Sequence, residues 1–143
     1  MTAERELPMA LRAAYLALHR ATDARFAQFD ITADQFVLLA ALSECQAMTQ
    51  RDLADRISSD PSTVRAMLVL LERKGLVKRD NHPTDSRAKS VSLSPSGQRV
   101  FQELWHTGQP IRNSMVANMS PHDRDTLISL LRQIASVLNN APK

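Results

Sequence analysis

The sequence predicts a mainly α-helical fold with one small β-hairpin. Apolar residues recur near a 3.6-residue period through the N-terminal and C-terminal thirds, which is the spacing of amphipathic helices. Between them, helix-start signals follow one another closely, and two strand-like runs, "LVKR" and "KSVSL", enclose residues 80–88. A chain of 143 residues is long enough to bury one core and too short for two independent ones. We therefore expect one domain.

The N-terminal third contains two of the predicted helices. The first covers about residues 7–29, and Pro8 suits its first turn. The second begins at a capping box, in which Thr32 accepts a hydrogen bond from an early amide and Gln35 reaches back. Its sequence "FVLLAAL" is apolar nearly all round, so we expect this helix to be central and buried.

The C-terminal third contains a long helix and a last helix. The long helix follows Pro95 and should bend near Gly108 and Pro110, because neither residue suits a helix interior. The last helix begins after Ser120, which can cap it, and has an apolar stripe that ends at Leu138.

The middle third combines start and stop signals of two short helices. The first begins at a capping box formed by Thr49 and Asp52. The second begins with Asp60 as its cap and Pro61 at its first position, and Gly75 ends it as a left-handed terminator. Two short helices around a tight turn, followed by a hairpin, make a winged helix-turn-helix.

The excess positive charge of the chain lies in this middle third. The whole chain has 18 basic and 15 acidic residues, a formal net charge of +3. Residues 49–93 contain nine Lys or Arg and six Asp or Glu, so their net charge is also +3 and the other residues sum to zero. A basic central unit between neutral flanks favours a polyanion as the partner of that unit.

The second helix of the pair has one face that suits a DNA major groove. Val64, Leu68 and Leu71 share the core side, at about 100° per residue. The opposite side is small and hydroxylic at its start and cationic further along, whereas an ordinary surface helix more often carries Glu and Lys throughout. Hydroxyls bind phosphates or base edges, and arginine chelates guanine. The predicted contacts on this recognition helix are Ser62, Thr63, Arg65, Ala66, Val69 and Arg73.

The loop of the hairpin, the wing, is a second candidate DNA contact. Pro83 stiffens it, and the Asp85 carboxylate can hold the Arg87 guanidinium in an extended pose. By itself, an Asp–Arg pair on a hairpin is an ordinary surface ion pair, worth under about 1 kcal/mol. Beside a groove-binding helix, however, Arg87 is positioned to enter the neighbouring minor groove. The predicted wing contacts are Asp85, Arg87 and Lys89.

Three stretches together resemble the MarR (multiple antibiotic resistance regulator) family. They are "ITADQFVLLAAL", "MTQRDLADRISSDPSTVRAMLVLLERKGLVKR" and "PTDSRAKSVSLSPSGQ". The resemblance implies a homodimeric transcriptional regulator, usually a repressor, whose terminal helices interlock. It implies a single MarR-type domain over residues 1–143, with a DNA-binding lobe at about 31–94 and dimerisation helices at about 7–29 and 95–139.

The same resemblance assigns roles to individual residues. This chain departs from the family pattern at Ser86, where the family commonly has a second wing arginine, and Lys89 can substitute electrostatically. The DNA contacts that the resemblance implies are Ser62, Thr63 and Arg65 in the recognition helix and Asp85 and Arg87 in the wing.

Neither catalysis nor a metal centre has support in the sequence. The three glycines are scattered at helix breaks and form no phosphate-binding loop. No two of the four histidines are four residues apart and none is next to the cysteine, whereas a zinc site needs such a set of His and Cys ligands. We expect a protein that is not an enzyme and has no metal ion and no cofactor.

The single cysteine, Cys45, is expected to be buried and structural. It follows the apolar second helix, and the adjacent Glu44 disfavours a thiolate. One cysteine excludes an internal disulfide and fits a reducing compartment. Because no run of 18 apolar residues and no signal-peptide pattern occurs, the sequence predicts a soluble cytoplasmic protein without a membrane segment. A redox-responsive regulator that uses Cys45 is an alternative.

A small-molecule pocket is predicted beside the first helix. Arg12, Tyr15 and His19 lie on one stripe of that helix, and a cation, a phenol and an imidazole together suit an aromatic carboxylate. Ligands of that kind are also what the family resemblance implies. Alternatively, these three polar residues are satisfied at a dimer interface.

The predicted function is therefore that of a sequence-specific DNA-binding repressor. It would bind double-stranded DNA as a homodimer and leave a pseudo-palindromic operator when a small aromatic acid or phenol binds. The competing class is a winged-helix protein-interaction module without affinity for DNA.

Overall fold

A computed structural model describes residues 2–81 and 89–141, which form helices and one small sheet. The chain divides into two compact units, residues 1–108 and residues 109–143. The first unit contains five of the described α-helices, a short 3₁₀ helix (Ala27–Phe29) and the sheet, and the second contains two α-helices. The elements are α1 (Ala3–Phe26), α2 (Ala33–Ser43), β1 (Met48–Thr49), α3 (Gln50–Arg56), α4 (Pro61–Arg73), β2 (Val77–Asn81), β3 (Lys89–Leu93), α5 (Pro95–Thr107), α6 (Gln109–Val116) and α7 (Pro121–Asn139).

The predicted fold class, mainly helical with a small hairpin, is confirmed. The hairpin strands β2 and β3 are antiparallel, with Val77 opposite Leu93 and Arg79 opposite Val91. The two-residue strand β1 adds to the outer side of β3, so the sheet order is β1-β3-β2. Strand β1 was not predicted from the sequence, because two residues are too few to show a strand period.

Local capping signals determine where most helices begin. The capping box of α2 is confirmed, since the Gln35 amide donates to Thr32 Oγ1 at 3.0 Å and the Thr32 amide donates to Gln35 Oε1 at 3.1 Å. Ser94 and Ser120 cap α5 and α7 through side-chain oxygens that accept from amides three residues on. Each cap supplies an acceptor to an amide that lacks a partner within the helix.

The core of the first unit centres on α2, as the sequence predicts. Leu38 and Leu39 of this helix are completely buried, and the ring of Phe36 lies between the rings of Phe26 and Phe101, at 4.9 and 5.8 Å between centroids. Helices α3, α4 and α5 and the sheet supply most of the other buried apolar side chains, including Leu53, Val64, Leu68, Leu71, Val91 and Leu104.

The start of α1 and the region around Gly108 differ from what the sequence predicts. Helix α1 begins at Ala3, so Pro8 lies inside it and the expectation of a first-turn proline is wrong. Glu4 and Glu6 stand in the true first turn, where acidic side chains are stabilised by the helix dipole. The predicted bend near Gly108 is a break, since α5 ends at Thr107 and α6 begins at Gln109.

None of the helices in the described ranges combines the length and the apolar character that crossing a membrane requires.

Candidate nucleic-acid interface

The turn between α3 and α4 sets the start of the recognition helix, α4. Ser58 has a left-handed backbone (φ 56°), and the Ser59 amide donates to the Ala54 carbonyl at 2.8 Å, which closes the end of α3. Asp60 then caps α4, and Pro61 occupies its first position, as predicted. The turn and the cap therefore fix the residue at which α4 begins.

The cap of α4 also immobilises one predicted DNA contact. Asp60 Oδ1 accepts from the Thr63 amide and Asp60 Oδ2 accepts from the Thr63 hydroxyl, both at 2.8 Å. These two hydrogen bonds lower the pKa of Asp60, and the bond from the amide has the larger effect. The cap is therefore ionised at neutral pH. Because its proton is directed at Asp60, the Thr63 hydroxyl offers other partners only an acceptor oxygen.

Helix α4 separates a buried side from an outer side, as the sequence pattern indicates. Val64, Leu68 and Leu71 are completely buried. The outer side carries all six predicted recognition-helix contacts, and only Val69 among them is half-buried. The exposed ones are Ser62, Thr63, Arg65, Ala66 and Arg73.

Several cations of the middle third are held by acids of the same chain. Arg79 in β2 forms a bidentate pair with Glu72 in the last turn of α4, with Nε to Oε2 at 3.2 Å and Nη2 to Oε1 at 3.0 Å. This pair raises the pKa of Arg79 and lowers that of Glu72, mainly through the hydrogen bonds. Lys74 Nζ lies 3.2 Å from Asp30 Oδ2, and Arg56 pairs with Glu44.

Arg65 and Arg73, two of the predicted DNA contacts, are not held by acids of the described chain in this way. Within residues 2–81 and 89–141, neither Arg65 nor Arg73 forms an ion pair. The Glu72–Arg79 pair leaves no signal in the sequence, because Glu72 lies in α4 and Arg79 in β2, on either side of the turn at Gly75. This pair links β2, the first strand of the hairpin, to the recognition helix.

The tip of the wing lies outside the described part of the chain. Asp85 and Arg87, the two contacts predicted there, fall within residues 82–88. Lys89 begins β3, and only its backbone is described.

The residues predicted to form a ligand pocket are only partly brought together. The rings of Tyr15 and His19 are 5.7 Å apart. Tyr15 lines a cleft of about 220 Å³ between α1, α2 and the helix-turn-helix, whereas Arg12 is exposed and does not line it. His19 does not line the cleft, and its Nδ1 lies 3.2 Å from Asp23 Oδ2 and its Nε2 3.6 Å from Asp34 Oδ2.

One polar residue of this cleft was missed by the sequence analysis. Asp34 lines the cleft beside Tyr15, and it is also the second residue of α2. An acid in a first turn is normally explained by the helix dipole, so its position in the sequence does not indicate a cleft. The remaining lining residues are Val37, Ile57, Ser58, Ser59, Thr63 and Met67.

Cys45 is exposed, so the expectation of a buried structural cysteine is wrong. Helix α2 ends at Ser43, and Cys45 therefore lies in the following turn instead of on the buried side of the helix. Its Sγ lies 3.9 Å from the Ala41 carbonyl oxygen. The adjacent Glu44 is engaged by Arg56.

The class of protein that this fold and this interface define is the winged helix-turn-helix. The sequence model of the MarR family matches residues 31–89, which span α2, the helix-turn-helix and β2 and end at the first residue of β3. This part of the chain is a MarR-family domain, and the chain is a DNA-binding transcriptional regulator.

Known proteins of the same kind resemble the chain over most of its length. The uncharacterized HTH-type transcriptional regulator YdgJ of Bacillus subtilis is 29% identical over 110 residues, which are 77% of this chain and 67% of YdgJ. The S. aureus MepR–DNA complex has a TM-score of 0.83 and 26% identity and covers 91% of this chain and 96% of MepR. Bordetella bronchiseptica BpsR, whose DNA binding is regulated by 6-hydroxynicotinic acid, has a TM-score of 0.84 and 25% identity, with 99% of each chain covered.

Proposed function

We propose that the protein is a homodimeric repressor that binds a pseudo-palindromic operator and is released by a small ligand. The observation that carries this proposal is the outer side of α4. Its small and hydroxylic residues come first, Arg65 and Arg73 are exposed, and neither arginine pairs with an acid of the described chain. Such a side fits a major groove, and a module that binds only proteins has no need of it.

A second copy of the chain is the partner we propose for the exposed apolar side chains of the terminal helices. Helix α7 has no buried residue, although leucine, isoleucine and valine recur along it. Helix α1 likewise exposes Leu7, Met9 and Leu18. Apolar surface of this extent is typical of a protein interface. The exposed apolar residues of α7 are Leu127, Ile128, Leu130, Leu131, Val137 and Leu138.

A small aromatic molecule is the releasing ligand we propose. The sequence predicts an aromatic acid or a phenol, and the regulation of BpsR by 6-hydroxynicotinic acid supports a ligand of this size. The cleft at Tyr15 supports the location, because its lining joins α1 to Thr63 at the start of the recognition helix. DNA binding would place the protein in the cytoplasm.

Selection from random duplexes tests the DNA part of the proposal. We expect a pseudo-palindrome whose half-sites lie about one helical turn, roughly 10 bp, apart, because a two-fold axis relates two recognition helices. Affinity for it should fall steeply, about 10³-fold or more, between 50 and 200 mM salt if six or more phosphates are contacted. Selection of no sequence, or an affinity that is independent of salt, would contradict the proposal.

Arg65→Ala and Arg87→Ala should impair binding in different ways. Arg65 faces the major groove, so its loss should relax discrimination at one base position per half-site by about 1–3 kcal/mol. Arg87 is proposed to enter the minor groove, where A·T and T·A look alike, so its loss should weaken binding to most duplexes. The measurement is competition among all single-base variants of the selected operator.

The control for this comparison is Arg132→Ala, which removes the same charge from α7. It should leave both the affinity and the base preferences close to those of the unsubstituted protein. If Arg87→Ala binds every variant as well as the unsubstituted protein does, the wing does not contact DNA. If Arg65→Ala keeps its base preferences, α4 does not read them through this residue.

A further inference from the structure

We infer that the cleft between α1, α2 and the helix-turn-helix takes a small organic cation, with Asp34 as its counter-ion. This inference rests on the proposed function in one respect, namely that the occupant of the cleft is the releasing ligand. It differs from the sequence expectation in the sign of the ligand charge. The aromatic carboxylate was expected from the stripe of Arg12, Tyr15 and His19 and from the family resemblance, but Arg12, the cation of that stripe, does not line the cleft.

The charges around the cleft are the first argument. Among the described residues that line it, Asp34 is the only charged one, and its side chain is 60% exposed. His19, which does not line the cleft, lies between the carboxylates of Asp23 and Asp34. Even a protonated His19 therefore leaves this group of three with a net charge of −1. An incoming carboxylate would be repelled by Asp34, whereas an ammonium or amidinium group would be attracted.

Hydrogen-bonding capacity is the second argument. The Thr63 hydroxyl donates its proton to Asp60, so in the cleft its oxygen can only accept. Ionised Asp34 is also an acceptor only. A ligand that satisfies both must bring N–H or O–H donors, which a carboxylate lacks. The hydroxyls of Tyr15, Ser58 and Ser59 can act in either sense.

The remaining lining and the volume determine the size and shape of the ligand. Val37, Ile57 and Met67 supply apolar surface, and the Tyr15 ring is available for a cation–π contact. A volume of about 220 Å³ lies below the usual range of drug-sized pockets, about 300–1,000 Å³. The ligand class is therefore a single aromatic or aliphatic ring with one amine, guanidine or amidine group.

The position of Thr63 connects this cleft to DNA. Thr63 belongs both to the lining and to the first turn of the recognition helix, and Ser58 and Ser59 form the turn before that helix. A ligand that binds these residues competes with the contacts that fix the turn and the first turn of α4 in place. Occupancy of the cleft should therefore lower the affinity for the operator.

The test compares three probes of the same shape and different charge, namely benzamidinium, benzamide and benzoate. Binding to the full-length protein without DNA is measured by NMR titration at neutral pH. We expect benzamidinium to bind at least about tenfold more tightly than benzoate, with benzamide between them. Benzamidinium should also release the protein from the selected operator at concentrations where benzoate does not.

Two variants assign this preference to the cleft. In Asp34→Asn the affinities for benzamidinium and benzoate should differ by less than about twofold. Asp52→Asn, which removes an acid from the first turn of α3 outside the cleft, should keep the preference of the unsubstituted protein. Folding of each variant is checked by circular dichroism, and Asp34→Glu, which keeps the charge, should retain the preference if Asp34→Asn is unstable.

The inference is overturned if benzoate binds as tightly as benzamidinium, if neither binds, or if Asp34→Asn keeps the preference. Those results leave the proposed repressor function in place as long as the same preparation binds its operator. If the protein binds no duplex, the proposed function fails, and the NMR titration still decides the ligand class.

Discussion

Gly97→Ala should lower the free energy of unfolding by about 3 kcal/mol or more, because it forces a side chain into a closed backbone junction. A Cβ on Gly97 would overlap the carbonyl group of Leu76. The backbone cannot easily yield there, since the Ser94 amide donates to the Leu76 carbonyl at 3.0 Å and Ser94 Oγ donates to the Gly75 carbonyl at 2.5 Å. Thermal unfolding followed by circular dichroism should show a melting temperature lower by about 10 °C.

Gly75→Ala is the matched control for this substitution. Gly75 has φ 76°, so an alanine there is strained, but its Cβ would meet no atom within 4 Å. Its expected cost is about 1 kcal/mol, the ordinary penalty for a non-glycine residue in this conformation. Both variants should be compared at one protein concentration, because the proposed dimer makes stability depend on concentration. Equal losses in the two variants would refute the steric argument.

Leu131→Glu should separate the proposed dimer and weaken operator binding by about 100-fold or more. Leu131 lies with Leu127, Ile134 and Leu138 along one apolar stripe of α7. A carboxylate within a buried apolar interface costs several kcal/mol, and about 2.7 kcal/mol is enough for a 100-fold change. Analytical ultracentrifugation measures the dimer, and titration with the selected operator measures the affinity. Deletion of residues 121–143 should have the same consequences.

Gln133→Glu introduces the same side chain on the same helix, away from this stripe. It should leave both the dimer and the operator affinity nearly unchanged, which separates the effect of position from that of an added charge. A Leu131→Glu protein that remains a dimer would show that α7 is not the dimer interface. The proposal of a homodimer would then need another surface.

The helix boundaries illustrate which parts of the fold were predictable. Thr32 and Gln35 form their capping box within four residues, and Gly75 ends α4 with hydrogen bonds from its own amide and that of Leu76 to the last turn. All of these contacts are between near neighbours in the chain, so the sequence pattern contains them. Pro8 was assigned to the first turn of α1 because proline is common there. The helix begins five residues earlier, at Ala3, and Glu4 and Glu6 lie in its first turn.

The candidate interface was predictable to a similar extent. The alternation of apolar and small residues along α4 separates its buried side from its outer side, and the structure exposes Ser62, Thr63 and Arg65 on the latter. The hydrogen-bond and ion-pair partners of individual side chains were not predictable. The proton of the Thr63 hydroxyl is directed at Asp60, and Arg79 is bound by Glu72. Nothing in the composition distinguishes these residues from those that remain available.

The sequence by itself determined the order of helices and strands, the winged helix-turn-helix and the outer side of its recognition helix. These features follow from capping residues, turn residues and a 3.6-residue period, all of which act over a few positions. Only the tertiary structure decided that β1 joins the sheet, that Cys45 is exposed and that Asp34 lines a cleft with Tyr15. The strand pairing and the cleft depend on how elements distant in the chain pack together, and such contacts leave no periodic signal in the sequence. The exposure of Cys45 follows from the end of α2 at Ser43, a boundary that the apolar run before it does not reveal.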